Sequence, residues 1–224
     1  MQKKNNTYKV IKGLIFDLDG VIVNTDTYHY EAWKSVANKY SIQIDKSINE
    51  NLKGLSRRDS WNLIMEIGNI QLSDEETNIV LETKNNLYRK KLKNLSSDNL
   101  LLGVENFLQE LNHKEFKLAI GSSSRNAKDI LNYLNLSSYF DSIIDGSMVK
   151  KLKPSPDIFI KAAKNLGLKP IHCIVFEDSL SGVKAAKDGG FKVISVGNKE
   201  LLDVADYHID NFLDFKLDQY ATVS

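Results

Sequence analysis

Short apolar runs of strand length recur along the chain: VIKGLIF (10–16), FKLAIG (116–121), SIID (142–145), HCIVF (172–176), FKVISV (191–196) and DYHID (206–210). Segments with helical spacing lie between most of them. RNAKDILNYLNL (125–136) sets Ala127, Ile130, Leu131 and Leu134 on one face, and DIFIKAAKNLGL (157–168) does the same with Ile158, Ala162 and Leu166. SLSGVKAAKDGG (179–190) closes on Gly189 and Gly190, a helix stop. Strands that are apolar throughout and alternate with amphipathic helices predict an α/β domain with a mostly parallel sheet covered on both faces.

The stretch from 24 to 95 breaks this rhythm and holds no convincing strand. TDTYHYEAWKSVANKY (25–40) predicts a helix with Thr25 as its N-cap, and SRRDSWNLIMEIG (56–68) a second helix, capped by Ser56 and stopped at Gly68. SDEETNIVLETKNNLYRKKL (73–92) predicts a third, acidic in its first turn and basic in its last, as the helix dipole favours. The expected organisation is a Rossmann-like α/β core from residues 1–23 and 96–224, with an all-α cap inserted at 24–95. Two crossings, near Asn24 and Leu95, form a hinge pair suited to a lid.

The chemistry concentrates at strand ends. In open α/β sheets ligands bind beyond the carboxyl ends of the strands. The first run ends in Asp17, Leu18, Asp19 and Gly20, the glycine allowing a sharp exit; HCIVF runs into Glu177 and Asp178. Acids aimed at one place from two strands make an oxygen-ligand site of the kind Mg²⁺ prefers. Glu177 has two readings, direct metal contact or orientation of a neighbouring lysine or a water. FKLAIG leads into Ser122, Ser123 and Ser124, whose hydroxyls and backbone N–H groups suit a phosphate. Lys153 precedes Pro154 on a loop stiffened by that ring. Acids, a cation, hydroxyls and a lysine together point to phosphoryl transfer, with an aspartate as nucleophile.

Composition narrows the partners. The 30 Lys and Arg against 29 Asp and Glu leave a net charge of +1, which gives no electrostatic case for nucleic acid or an anionic membrane. One cysteine, Cys173, excludes an intrachain disulfide, and its apolar neighbours make it a core residue. No run reaches the ~18 apolar residues of a membrane span, and MQKKNNTYKV lacks the apolar region of a signal peptide. A cytoplasmic protein with a short disordered lead-in is expected.

The segments DLDG (17–20), GSSSRN (121–126), KPSPD (153–157) and FEDSLSGVKAAKDGG (176–190), in that order, resemble the haloacid dehalogenase superfamily of phosphotransferases. The resemblance implies Asp17 as nucleophile and Mg²⁺ ligand, and Asp19 as general acid/base that lends the metal its backbone carbonyl. Ser122 would bind the transferring phosphoryl group, Lys153 would steady it, and Glu177 and Asp178 would anchor Mg²⁺. Within that superfamily DTYHYEAWKSVA (26–37), NLKGLSRRDS (51–60) and KPSPDIFIKAA (153–163) resemble the β-phosphoglucomutases. That likeness implies interconversion of β-glucose 1-phosphate and glucose 6-phosphate through a bound β-glucose 1,6-bisphosphate, by a monomer acting on small sugar phosphates. Thr25 and Lys53 would support Asp19, and His29 would couple closure to catalysis. Gly54, Leu55 and Arg57 would form a specificity loop, with Arg57 on the phosphate that is not transferred. Trp33 and Lys84 would line the sugar side, and Ser124, Arg125 and Asn126 would hold the far phosphate. The alternative is a sugar-phosphate phosphatase of the same fold, which differs in whether water reaches the aspartyl-phosphate.

Overall fold

The structure is a computed structural model that describes residues 10–52, 55–111 and 115–219. The N-terminal lead-in (1–9), Lys53 and Gly54 lie outside the described residues. The chain divides into two compact units, Thr25–Ser96 and the remainder.

The larger unit is built on a six-stranded sheet of β1 (Gly13–Phe16), β2 (Lys117–Gly121), β3 (Ser142–Ile144), β4 (Cys173–Glu177), β5 (Lys192–Val196) and β6 (Tyr207–Ile209). The order is β3-β2-β1-β4-β5-β6 and every neighbouring pair is parallel. β1 and β4 are buried along their whole length, so both faces must be apolar, and alternate residues supply the two cores. On one face Ile15, Ala119, Val175 and Val193 pack under α7 (Asp157–Asn165) and α8 (Leu180–Asp188), through Ile158, Phe159, Ala162, Val183 and Ala186. On the other, Phe16 stacks on its register partner Phe176 with centroids 4.7 Å apart, and Phe107 of α5 (Val104–Leu111) joins Phe212 and Phe215 around them. α6 (Ala127–Tyr133) buries Ala127, Ile130 and Leu131, three of the four residues whose spacing predicts it. Cys173 is fully buried and burial pushes its thiol up to about 12, so it stays protonated in the core.

Among its described residues the regular structure of the smaller unit is helical: α1 (Asp26–Asn38), α2 (Lys46–Leu52), α3 (Arg57–Ile67) and α4 (Asp74–Leu92). Its core joins Trp33, Val36, Ile42, Leu52, Trp61, Ile64 and Val80. Ser56 caps α3 by accepting the Asp59 N–H at 3.1 Å, and Gly68 ends it. Ser73 and Glu76 form a capping box on α4, whose first turn is acidic and last turn basic. The expectation at α1 needs correction. Thr25 occupies the N-cap position, but its side chain makes no capping hydrogen bond; its backbone (φ −111°, ψ 7°) departs from the extended conformation that aims a cap.

Among the described residues no helix is long and apolar enough to cross a membrane.

Candidate active site

The site of the larger unit grows from the ends of β1, β2 and β4. Phe16 is level with Ile120 on one side and Phe176 on the other, so the next step of each strand sets Asp17 beside Gly121 and Glu177. The Asp17 N–H carries the ladder on to the Phe176 carbonyl at 2.9 Å. The chain then turns at once: the Leu18 carbonyl accepts from Ile22 and Val23, and Gly20 adopts φ +87°, a conformation that side chains resist. Its missing side chain also matters, because a Cβ there would lie 1.9 Å from Asp178 Oδ2. Gly182 plays the same part on α8, where a Cβ would lie 1.8 Å from Glu177 Oε1. Two glycines therefore clear the space that the two acids occupy.

Lys153 ties the acids together. Its Nζ lies 2.6 Å from Asp17 Oδ1 and 2.6 Å from Glu177 Oε1, with its side chain 6% exposed. The second oxygen of Glu177 accepts from the Ser179 N–H at 2.7 Å and from the Ser179 hydroxyl at 2.9 Å. Glu177 thus orients a lysine, as one of its two readings requires, while Oε1 keeps a lone pair for a cation. Ser179 was not singled out from the sequence. The signal for it is a serine standing directly before a helical run: it caps α8 through the Gly182 N–H and holds the carboxylate with the same hydroxyl.

The acids outnumber the lysine. Burial, opposed by the Lys153 charge and reinforced by Glu177, pushes Asp17 up to about 7. Burial and the charges of Glu177 and Asp17 likewise hold Asp178 well above the usual carboxylate range. Lys153 is held above its ordinary value, because the attraction of Asp17 and Glu177 outweighs its own burial. Oxygens of Asp17, Glu177 and Asp178 all lie within 4.8 Å of one another. Three carboxylates so placed, with excess negative charge and oxygen donors alone, fit a hard divalent cation of the Mg²⁺ type.

The serine loop follows β2. Ser122 is buried and donates its N–H to the Ile144 carbonyl at 3.0 Å. Its Oγ accepts the Ser124 N–H at 3.1 Å, and Ser124 Oγ accepts the Asn126 N–H at 3.2 Å. Asn126 is buried while Arg125 is exposed. Asp145, a second group not anticipated, is buried next to this loop. It accepts from the Ser147 N–H at 2.7 Å, and the Gly146 N–H donates to the Ser124 carbonyl.

The smaller unit brings three of its candidates together. Lys84, 2% exposed, lies 2.8 Å from His29 Nδ1 and 4.7 Å from the Trp33 ring centroid. Burial, then the charges of Lys84 and Arg57, hold His29 well below its usual value. Arg57 opens α3 half-buried, and Leu55 before it is exposed. Trp33 is nearly fully buried and stacks on Trp61 at 6.2 Å, so it props Lys84 from within the helical core. Tyr88, absent from the expected set, packs on His29 with ring centroids 4.1 Å apart.

A family model for haloacid dehalogenase-like hydrolases matches residues 14–196, which holds every part of the β1, β2 and β4 site. The chain belongs to this family. It is 36% identical over 210 residues to a β-phosphoglucomutase of Bacillus subtilis, covering 93% of each chain. A crystal structure of a β-phosphoglucomutase from Clostridium difficile superposes with a TM-score of 0.86 at 39% identity, covering 94% of this chain and 95% of that one. A fructose-1-phosphate phosphatase of Escherichia coli is 31% identical over 189 residues, covering 84% of this chain and 98% of its own. This haloacid dehalogenase-type enzyme therefore resembles both isomerases and hydrolases of phosphorylated sugars.

Proposed function

We propose that the protein is a Mg²⁺-dependent β-phosphoglucomutase, which interconverts β-glucose 1-phosphate and glucose 6-phosphate through β-glucose 1,6-bisphosphate. The observation that carries this reading is Lys84 Nζ placed 2.8 Å from His29 Nδ1 in the helical unit, with the Arg57 charge acting on the same imidazole. The core site accounts for the phosphoryl group in transit. A bisphosphate has a second phosphate that needs its own cations, whereas a phosphatase acting on a monophosphate does not. A guanidinium suits that task because its planar fork can bond two phosphate oxygens at once.

Asp17 attacks phosphorus and becomes the aspartyl-phosphate, its rotation held by Lys153. Lys153 also balances charge on the transferring group, and Ser122 binds that group's oxygens. Asp19, half-buried two residues on, removes a proton from the attacking sugar hydroxyl and returns it to the leaving one. Thr25 and Lys53 support Asp19; Gly54, Leu55 and Arg57 select the substrate; Ser124, Arg125 and Asn126 hold the far phosphate when the bisphosphate reverses. Asp17, Asp178, Glu177 and the Asp19 carbonyl would hold Mg²⁺, which when bound would neutralise charge on the phosphoryl oxygens.

A phosphatase is the second reading, favoured by the likeness to the Escherichia coli enzyme. Incubation with β-glucose 1-phosphate, Mg²⁺ and a trace of the bisphosphate separates the two. Glucose 6-phosphate without inorganic phosphate is the result expected; rapid release of inorganic phosphate would establish the hydrolase instead.

A further inference from the structure

We propose that Phe159 is a positioning residue for Lys153, acting through the face of its aromatic ring. The inference rests on the reading of Asp17 and Lys153 as phosphoryl-transfer groups, and is independent of whether a sugar or water takes the phosphate.

Lys153 Nζ stands 4.6 Å from the Phe159 ring centroid while donating to Asp17 and Glu177 at 2.6 Å each. A lysine is a point charge on a flexible four-carbon stem, and two carboxylates alone leave it free to swing about the line between them. The electron-rich face of a ring supplies a third contact of fixed direction, and its attraction grows as water is excluded. Here the lysine side chain is 6% exposed and Phe159 is fully buried.

Close neighbours restrain the ring on two sides. Phe191 meets it edge-on with centroids 6.2 Å apart at 66°. On another side it presses on bare backbone: a Cβ on Gly121 would lie 2.9 Å from Phe159 Cδ1 and 3.1 Å from Cε1. Gly121 is the residue before Ser122, so one side chain borders both the lysine and the start of the serine loop. Core packing alone would be met by leucine, which fills similar space without a π face; the lysine contact gives a reason for an aromatic residue here.

The test replaces Phe159 with mono-, di- and trifluorophenylalanine, which withdraw the negative charge of the ring face at nearly constant size. The turnover number is expected to fall stepwise, by roughly ten-fold across the series, with KM and thermal midpoint little changed. A flat turnover number would overturn the proposal, as would a Phe159→Leu protein with full turnover. The lysine's position is read separately by NMR, without substrate or metal. Its ε-methylene protons should be ring-current shifted in the unsubstituted protein and return to ordinary positions in Phe159→Leu. Unshifted protons in the unsubstituted protein overturn the inference whatever the reaction; shifted protons with no phosphate label on Asp17 count against the phosphoryl-transfer reading alone.

Discussion

Lys84 Nζ lies 2.8 Å from His29 Nδ1, an ammonium facing an imidazole across 55 positions of sequence. An ammonium has no acceptor, so the imidazole must accept, and its own proton sits on Nε2. His29 is therefore neutral in the folded protein, held well below its usual 6.5 by burial and by Lys84 and Arg57.

This sets a pH dependence. The unfolded chain takes up a proton at His29 near 6.5, while the folded chain does not. The His29 contribution to stability is therefore complete above that value and declines as pH falls through it. Denaturation at pH 7.5 and 5.5 should show a smaller loss of stability in His29→Gln than in the unsubstituted protein. Equal losses would mean that His29 is accessible to protons in the fold.

Asp17→Asn keeps the shape of the side chain and removes the nucleophile. Turnover should fall by at least about 10³-fold, with unchanged circular dichroism and no phosphate label on the protein. Label retained at residue 17, or activity near normal, would displace Asp17 from its role.

Gly182→Ala tests the space around the acids without touching them. A Cβ 1.8 Å from Glu177 Oε1 must push that carboxylate aside. The Mg²⁺ concentration for half-maximal activity should rise by roughly ten- to a hundredfold, the range found when groups that orient metal ligands are disturbed.

Mg²⁺ should also act as a folding ligand. At a hundred times its dissociation constant it adds about 2.7 kcal/mol, read as a higher thermal midpoint. Asp178→Asn should abolish this rise. Without metal, the same variant should be at least as stable as the parent, because burial and the charges of Glu177 and Asp17 disfavour the ionised Asp178. A metal-free variant that melts much lower would contradict that excess of charge.

Arg57→Ala should leave single-turnover phosphorylation of Asp17 nearly intact and weaken the bisphosphate. A rise of roughly ten- to a hundredfold in its half-saturation is expected from the loss of charge-assisted hydrogen bonds. Unchanged kinetics would remove Arg57 from the second phosphate.

Much of the fold was legible because its signals are local. The run Leu14-Ile15-Phe16 is apolar at consecutive positions, and that is how a strand buried on both faces must read. Ser56 announces α3 through a hydrogen bond that spans three residues, and an acidic first turn with a basic last turn announces α4. α2 escaped notice because seven residues, KSINENL, bury little beyond Asn49 and Leu52 and show no clear period. α5 is passed over in a strand-by-strand reading, although Val104, Phe107, Leu108 and Leu111 hold helical spacing. Thr25 shows the limit of residue type as a guide, since capping depends on a backbone angle that composition does not reveal.

By itself the sequence determined which atoms of this protein can do chemistry: carboxylates at the ends of apolar strands, serines after a glycine and a lysine before a proline, each a property of a few adjacent residues. Tertiary structure alone decided how those atoms are held. Lys153 meets Asp17 across 136 positions and Glu177 across 24, and Phe159 comes beneath the same ammonium. Gly20 makes room for Asp178, an acid far along the chain. Such relationships arise because side-chain packing and charge act through space, between segments that the order of residues keeps apart.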